Sequence, residues 1–144
     1  MARAVDVAKY ILTKAGEMTA MKLQKLVYYT QAWSLVWDEN PLFEDDIQAW
    51  ANGPVVPVLY DYHRGQFKVD KNTFSDGDID ALTPNQKDSI DKVLDALQEK
   101  SAQWLSELTH MEAPWKDARG DLKPTEKCDK VILLAAMHEY YSSL

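Results

Sequence analysis

The chain has 144 residues, of which 46% are hydrophobic and 27% are charged, and its formal net charge is −7. This composition is typical of one globular domain and excludes a disordered chain, and the negative charge repels the phosphate backbone of nucleic acids. No window approaches the roughly 18 apolar residues of a membrane span, and the N-terminus shows no signal peptide. Cys128 is the single cysteine, so no internal disulfide can form and a cytoplasmic location is expected.

Helical periodicity dominates the first forty residues. Apolar residues recur at helical spacing from Val5 to Ala15, and Gly16 follows where a helix would end. Thr19 is the predicted N-cap of a second helix over residues 20–37. That helix is apolar on two sides, so we expect it to lie at the centre of the fold.

The middle of the chain changes character after Pro41. Residues 42–50 predict an extended segment or short strand, and Asn52-Gly53-Pro54 predicts a turn. A short helix is predicted over residues 55–64. Residues 66–82 are polar and rich in turn formers, which fits a small hairpin or an ordered loop equally well.

Helices return in the last third of the chain. Thr83 and Ser101 are the predicted N-caps of two amphipathic helices. Residues 110–124 are predicted to be irregular, and a last helix is predicted over residues 125–141. The elements together predict a mainly α fold, a single compact helical domain over residues 1–144 of about five to seven helices, with a minor extended or hairpin element.

The three histidines show no ligand or catalytic spacing. His138 lies on an apolar helical face and is expected to be a hydrogen-bonded core or boundary residue, while His63 would favour the end of its helix. His110 precedes Glu112 and Trp115 in a loop, where capping or packing is favoured over general-base catalysis. Cys128 is expected in the first turn of the last helix, as a small hydrophobic residue. No catalytic residue, metal site or cofactor is therefore predicted.

Five tryptophans and seven tyrosines make recognition of another protein worth considering, because aromatic residues are enriched in binding hot spots. Trp33, Trp37 and Trp50 are assigned to the core, whereas Trp115 is the one of the five that is expected to be partly exposed. A second apolar face of the last helix offers a further contact surface. The candidate partner-binding residues are His110, Trp115, Leu133, Met137 and Tyr140.

Two stretches of the chain carry a family resemblance. They consist of Leu23-Gln24-Lys25-Leu26-Val27-Tyr28-Tyr29, Pro41-Leu42-Phe43, residues 47–57 with Tyr60, residues 105–110, Pro114-Trp115 and Ala118-Arg119. Together they resemble the Panacea, or SocA-like antitoxin, domain, which also occurs in phage-associated GepA-type proteins. The similarity runs from about residue 5 to residue 141.

The resemblance implies a mainly helical bacterial protein, often encoded on prophages, that neutralises a cognate toxin by direct binding. One member type is an adaptor that delivers its toxin to the ClpXP protease, so ClpX or another protease component is a second implied partner. The motif residues expected to be structural are Leu26, Tyr29, Trp50, Gly53, Pro54, Tyr60, Thr109 and Pro114. Two alternatives stay open: a prophage-encoded DNA-binding regulator, which needs a basic face that only Lys22 and Lys25 suggest, and a small hydrolase centred on His110.

Overall fold

The computed structural model describes residues 2–144 of the chain. In this range the seven α-helices are α1 (Ala4–Ala15), α2 (Ala20–Trp37), α3 (Pro57–His63), α4 (Pro84–Leu97), α5 (Ala102–His110), α6 (Ala113–Arg119) and α7 (Leu134–Ser142). Four short strands, β1 (Met18–Thr19), β2 (Gln48–Trp50), β3 (Gly53–Val55) and β4 (Lys68–Val69), form two antiparallel pairs, β1 with β4 and β2 with β3. The predicted mainly α fold is confirmed. No helix among the described residues is both long and apolar enough to cross a membrane.

Helix α2 lies at the centre of the fold, as predicted. It packs against α1, α4, α5 and α7. The Thr19 hydroxyl accepts a hydrogen bond from the Lys22 backbone N–H at 3.1 Å, which satisfies one of the free donors of the first turn. Leu23, Leu26 and Tyr28 are fully buried although they project from different sides of the helix. Neighbouring helices therefore surround α2, and its two apolar sides have separate partners.

The predicted starts of α4 and α5 are confirmed by their caps. Thr83 and Gln86 form a capping box, in which the Gln86 N–H donates to the Thr83 hydroxyl at 3.1 Å and the Thr83 N–H donates to Gln86 Oε1 at 2.9 Å. The Ser101 hydroxyl accepts from the Trp104 N–H at 3.0 Å. Each of these bonds joins residues that are three positions apart, which is why the local sequence is sufficient to predict them.

The turn predicted at Asn52-Gly53-Pro54 lies slightly earlier, at Ala51 and Asn52, and it joins β2 and β3 in a hairpin, with Gly53 and Pro54 already in β3. Gln48 pairs with Val55, and Trp50 pairs with Gly53. Because Val55 is held in the strand, the helix predicted from residue 55 begins instead at Pro57. Proline suits the first turn of a helix, where its missing N–H costs no hydrogen bond.

Residues 66–82 form an ordered loop that contains two 3-10 helices, Lys71–Phe74 and Ile79–Ala81. The only strand here, β4, pairs with β1 near the start of the chain and forms no local hairpin. Phe74 is fully buried and anchors the loop beside α1.

Two predictions for the C-terminal part are wrong. Residues 110–124 are not irregular, because α6 occupies Ala113–Arg119 with Pro114 in its first turn. The last helix begins at Leu134 rather than near residue 125. The segment before it is extended because it pairs with the chain around β2: the Ala49 N–H donates to the Lys130 carbonyl, and the Ile132 N–H donates to the Ile47 carbonyl. Cys128 therefore lies in this extended segment, buried, and not in a helical first turn.

Candidate functional site

A cavity of about 690 Å³ opens between the first turns of α2, the β2–β3 hairpin and α3. Residues 65–67 and 125–129 complete its walls, which are mostly apolar. This volume lies within the range of roughly 300–1,000 Å³ that is usual for ligand sites in proteins. Several motif residues meet here, among them Gln24, Lys25, Trp50 and Tyr60. The cavity is the candidate functional site.

Lys25 is buried in the wall of this cavity, with only 1% of its surface exposed. Its ammonium donates one hydrogen bond, to the Pro54 carbonyl at 3.2 Å. No carboxylate in residues 2–144 lies within ion-pair distance of it. Burial lowers the pKa of Lys25 to about 7. An ammonium has three N–H donors, so the protonated form would keep unused hydrogen-bonding capacity.

Gly53 lets the hairpin approach Lys25 closely. A side-chain carbon at this position would lie 2.5 Å from Lys25 Cε and 3.0 Å from Thr109 Oγ1, and the backbone has a φ of +117°. The Thr109 hydroxyl in turn donates to the Ser106 carbonyl at 2.7 Å, and the Ser106 hydroxyl donates to the Asn52 carbonyl at 2.6 Å. The structure thus brings motif residues from three elements together around one buried lysine.

A hydrogen-bond network assigns the protonation of His63, which also lines the cavity. The Val56 N–H donates to Gln24 Oε1 at 2.9 Å, so Gln24 Nε2 faces the Val56 carbonyl and lies 3.0 Å from His63 Nε2. An amide nitrogen only donates, so His63 Nε2 accepts and its proton resides on Nδ1. Burial lowers the pKa of His63, and the charge of Lys25 acts in the same direction. His63 is therefore a neutral imidazole whose Nε2 accepts a hydrogen bond from Gln24.

The mouth of the cavity is apolar and exposed. Phe67 is 75% exposed and Met21 is 41% exposed, although both are large hydrophobic residues that line the opening. Behind them, Trp50 packs edge-on against Tyr60 with ring centres 5.1 Å apart. Lys127 and Asp129 lie in the wall on the solvent side.

The predicted partner-binding residues do not form one exposed surface. Trp115 is only 4% exposed and donates from Nε1 to the Trp50 carbonyl at 2.8 Å, so the expectation that it is partly exposed is wrong. The reason is α6, which turns this side chain towards the hairpin. Met137 is also fully buried, whereas Leu133 is 65% exposed and Tyr140 is half-buried.

His110 ends α5 and stacks on Trp115, with ring centres 4.1 Å apart. Its Nε2 is buried and has no hydrogen-bond partner among the described residues. Burial lowers the pKa of His110, and the positive charges of Lys25 and Arg119 lower it further. The ring is therefore held neutral between a helix end and an aromatic face.

Arg119 is a second buried cation, and its surroundings are quite different from those of Lys25. Its guanidinium donates to the carbonyls of Ala49 at 2.9 Å, Lys123 at 2.7 Å and Glu126 at 2.5 Å. It also lies over the ring of Trp115, 4.9 Å from the centroid. Arg119 therefore holds the loop after α6 against the hairpin.

Glu112 is a buried carboxylate that sequence reasoning did not select. It accepts hydrogen bonds from the hydroxyls of Tyr29 at 2.6 Å and Tyr141 at 2.8 Å, which joins α2, α6 and α7. Burial raises its pKa, and the two tyrosine hydroxyls act against that rise. This network is a structural centre of the core, and Tyr29 belongs to it.

Two further expectations about single residues are wrong, and the basic pair considered for DNA binding does not form a surface patch. Trp37 is exposed rather than part of the core, and it stacks on the half-buried Trp33. His138 is exposed on α7, because that helix buries Met137 and Tyr141 instead. Lys22 and Lys25 make no surface basic patch, since Lys25 is buried and the Lys22 amine donates to the Gln98 carbonyl. A signal for the burial of Lys25 was available, because it lies in a helix predicted to be central.

Within residues 2–144, no group of three His, Cys, Asp or Glu side chains has the arrangement needed to hold a metal ion. The family model described as "Antitoxin SocA-like, Panacea domain" matches residues 23–116, which includes most of α2, the hairpin and the whole of α5. Searches among curated proteins and among solved structures returned no match. The matched region covers well over half of the chain and holds most of the cavity, including Lys25 and the hairpin. The chain belongs to the SocA-like antitoxin family and carries a Panacea domain.

Proposed function

We propose that this protein neutralises a toxin by binding it directly. The observation that carries the proposal is the family match over residues 23–116. The cavity supports it, because an apolar opening with exposed Phe67 and Met21 is a surface suited to another protein. We place this activity in the cytoplasm, where toxins of such systems would meet their antitoxins, with no membrane partner.

Binding is favoured over catalysis by the state of the buried His63 and the half-buried His110. The Nε2 lone pair of His63 is engaged by Gln24, and the ring of His110 is stacked on Trp115. Neither ring is hydrogen-bonded to a serine, threonine or cysteine in the described part of the chain. A hydrolase would require a base in contact with a nucleophile. These contacts therefore support a protein that acts without covalent chemistry.

A DNA-binding role is less well supported. It would need an exposed basic face, and the one tight pair of lysines near the N-terminus is occupied inside the fold. The net charge of −7 acts in the same direction. We therefore propose a protein as the partner.

Delivery of the toxin to ClpXP is the finer form of this proposal, and it rests on the family resemblance. An adaptor needs one surface for the toxin and another for the protease. The exposed large hydrophobic residues include two pairs in different places: Phe67 and Met21 at the cavity, and Leu133 and Leu134 at the start of α7. Of the residues predicted from the sequence to bind a partner, the exposed Leu133 and the half-buried Tyr140 lie at or on α7 and are accessible there.

The proposal predicts that the neighbouring gene encodes a small toxic protein, and co-expression with the product of that gene tests it. We expect restored growth and co-purification of the two proteins. The half-life of the toxin in cells with and without ClpX then separates delivery from simple occlusion, because only delivery shortens it in a ClpX-dependent manner. A toxin that neither co-purifies nor loses toxicity would overturn the proposal.

A further inference from the structure

Lys25 differs from the other buried charged groups of this protein in the number of its partners. Asp6 is bonded by the side chain of Arg3 and the backbone N–H of Asp78. Glu112 accepts from two tyrosine hydroxyls, and Arg119 donates to several carbonyls. Lys25 alone among them keeps one hydrogen bond, at 3.2 Å. A buried ammonium in this state is destabilising, because it has lost its water without gaining a counterion.

The surroundings of Lys25 offer it no negative charge. Gln24 and His63 are neutral and satisfy each other, and Thr109 donates its hydroxyl proton elsewhere. Lys25 also lines the cavity, so a group that enters the cavity comes into contact with this side chain. A carboxylate entering the cavity would supply the missing counterion, and the bond would form in surroundings from which water is largely excluded.

The other residues of the cavity indicate which kind of molecule bears that carboxylate. Its walls are mostly apolar, so the carboxylate must be attached to an apolar body. A free small acid would fit inside the cavity and leave the exposed rings and side chains at the mouth in water. A protein segment would enter the cavity and also cover Phe67 and Met21.

We infer that the cavity binds an acidic segment of the partner protein, with one carboxylate on Lys25 Nζ and an adjacent apolar side chain against Phe67 and Met21. This inference rests on the proposed function, because the partner is the toxin. Lys25 would then act as the specificity-determining residue of the interface, and Phe67 would contribute apolar contact area at its edge.

A pH dependence of binding follows from this arrangement. Burial places the pKa of Lys25 near 7 in the free protein, and a bound carboxylate raises it again. Binding above pH 7 therefore takes up a proton, and affinity falls as the pH rises from 7 to 9. The other titratable or charged groups that face Lys25 or its cavity are Tyr60, His63, His110, Lys127, Cys128 and Asp129.

The test uses the toxin that co-purifies with the wild-type protein. Its affinity is measured for the wild type, for two variants and for their two controls. Lys25→Met should fold with an unchanged or higher melting temperature and bind the toxin at least about tenfold more weakly. Phe67→Ser should also weaken binding, because it removes an apolar contact at the mouth of the cavity. The variant should still fold, since Phe67 is exposed and its loss leaves the core intact. The matched controls are Lys22→Met, one turn away on α2, and Val58→Ser, an exposed apolar residue that does not line the cavity.

The pH profile and an acidic scan of the toxin complete the design. Wild-type affinity should fall by up to about tenfold per pH unit above 7, and the Lys25→Met variant should lose that dependence. One Asp→Asn or Glu→Gln change in the toxin should lower affinity for the wild type and not for Lys25→Met. If the wild type binds the toxin while Lys25→Met and Phe67→Ser bind it equally well, this inference is wrong and the proposed function stands. If the wild type binds no toxin, both fail.

Discussion

Arg119 and Lys25 are both cations buried beside the β2–β3 hairpin, and neither has a carboxylate partner within the described chain. The guanidinium of Arg119 is surrounded by carbonyl oxygens and the ring of Trp115, whereas the ammonium of Lys25 has one carbonyl and an adjacent cavity. The first arrangement is complete by itself. In the second, the ammonium has fewer acceptors than it has N–H donors. This difference separates a cation that holds the fold from one that is available for a partner.

The largest effect on stability is expected from Trp115→Ala. Trp115 is buried, donates to the Trp50 carbonyl and carries Arg119 on its ring, so its removal leaves a cavity and unpaired groups. We expect the free energy of unfolding to fall by about 3–5 kcal/mol. The control is Trp104→Ala, since Trp104 is exposed and its loss should cost less than about 1 kcal/mol. Chemical denaturation measures both, and similar losses for the two variants would contradict the burial of Trp115.

Arg119→Met tests whether the fully hydrogen-bonded cation of the comparison stabilises the fold. It removes the donors to the carbonyls of Ala49, Lys123 and Glu126, which would stay buried or partly buried. A loss of about 3 kcal/mol is expected in urea denaturation. Arg64→Met, which removes an exposed arginine paired with Asp61, should change stability by less than about 0.5 kcal/mol. If Arg119→Met proved as mild as its control, Arg119 would not be a structural residue.

Gly53→Ala tests how closely the hairpin approaches Lys25. The added carbon would overlap Lys25 Cε, and the positive φ is unfavourable for alanine. We expect a loss of about 2 kcal/mol, against about 1 kcal/mol for Gly65→Ala, which has a positive φ but nothing within 4 Å. The difference in thermal unfolding between the two variants isolates the contact. Equal losses would mean that the hairpin lies further from Lys25.

The pH dependence of stability is expected to be the smallest effect when it is taken per pH unit. The pKa of Lys25 is near 7 in the folded protein, while the unfolded chain keeps that proton up to about pH 10.4. The unfolded state therefore binds more protons between these values, and stability rises with pH there. The full destabilisation is present below pH 7.

Between pH 7 and 9 the wild type should gain up to about 1 kcal/mol per pH unit relative to Lys25→Met. Denaturation curves at several pH values, stopped at pH 9 before the tyrosines ionise in the unfolded chain, measure this slope. Parallel pH profiles for the two proteins would show that Lys25 keeps its proton in the folded state, and the comparison with Arg119 would then lose its basis.

Much of the helical part of the fold was predictable because its signals are local. Thr19, Thr83 and Ser101 each accept a backbone hydrogen bond from a residue three positions later, so the residue types alone indicate where a helix begins. The site was less predictable. Gln24 and Lys25 were visible within the family pattern, but their contacts come from Val56, His63 and Pro54, some thirty to forty residues away.

The sequence by itself determined the helix starts, the turn before Pro54, the central position of α2 and the family resemblance, because each depends on spacing or on neighbouring residues. Only the tertiary structure decided where α7 begins, since residues before Leu134 are held extended by hydrogen bonds to the chain around β2. It also decided that Trp115 is buried and that Lys25 has a single acceptor. Burial and hydrogen-bond partners depend on elements that are distant along the chain, and no local pattern records them.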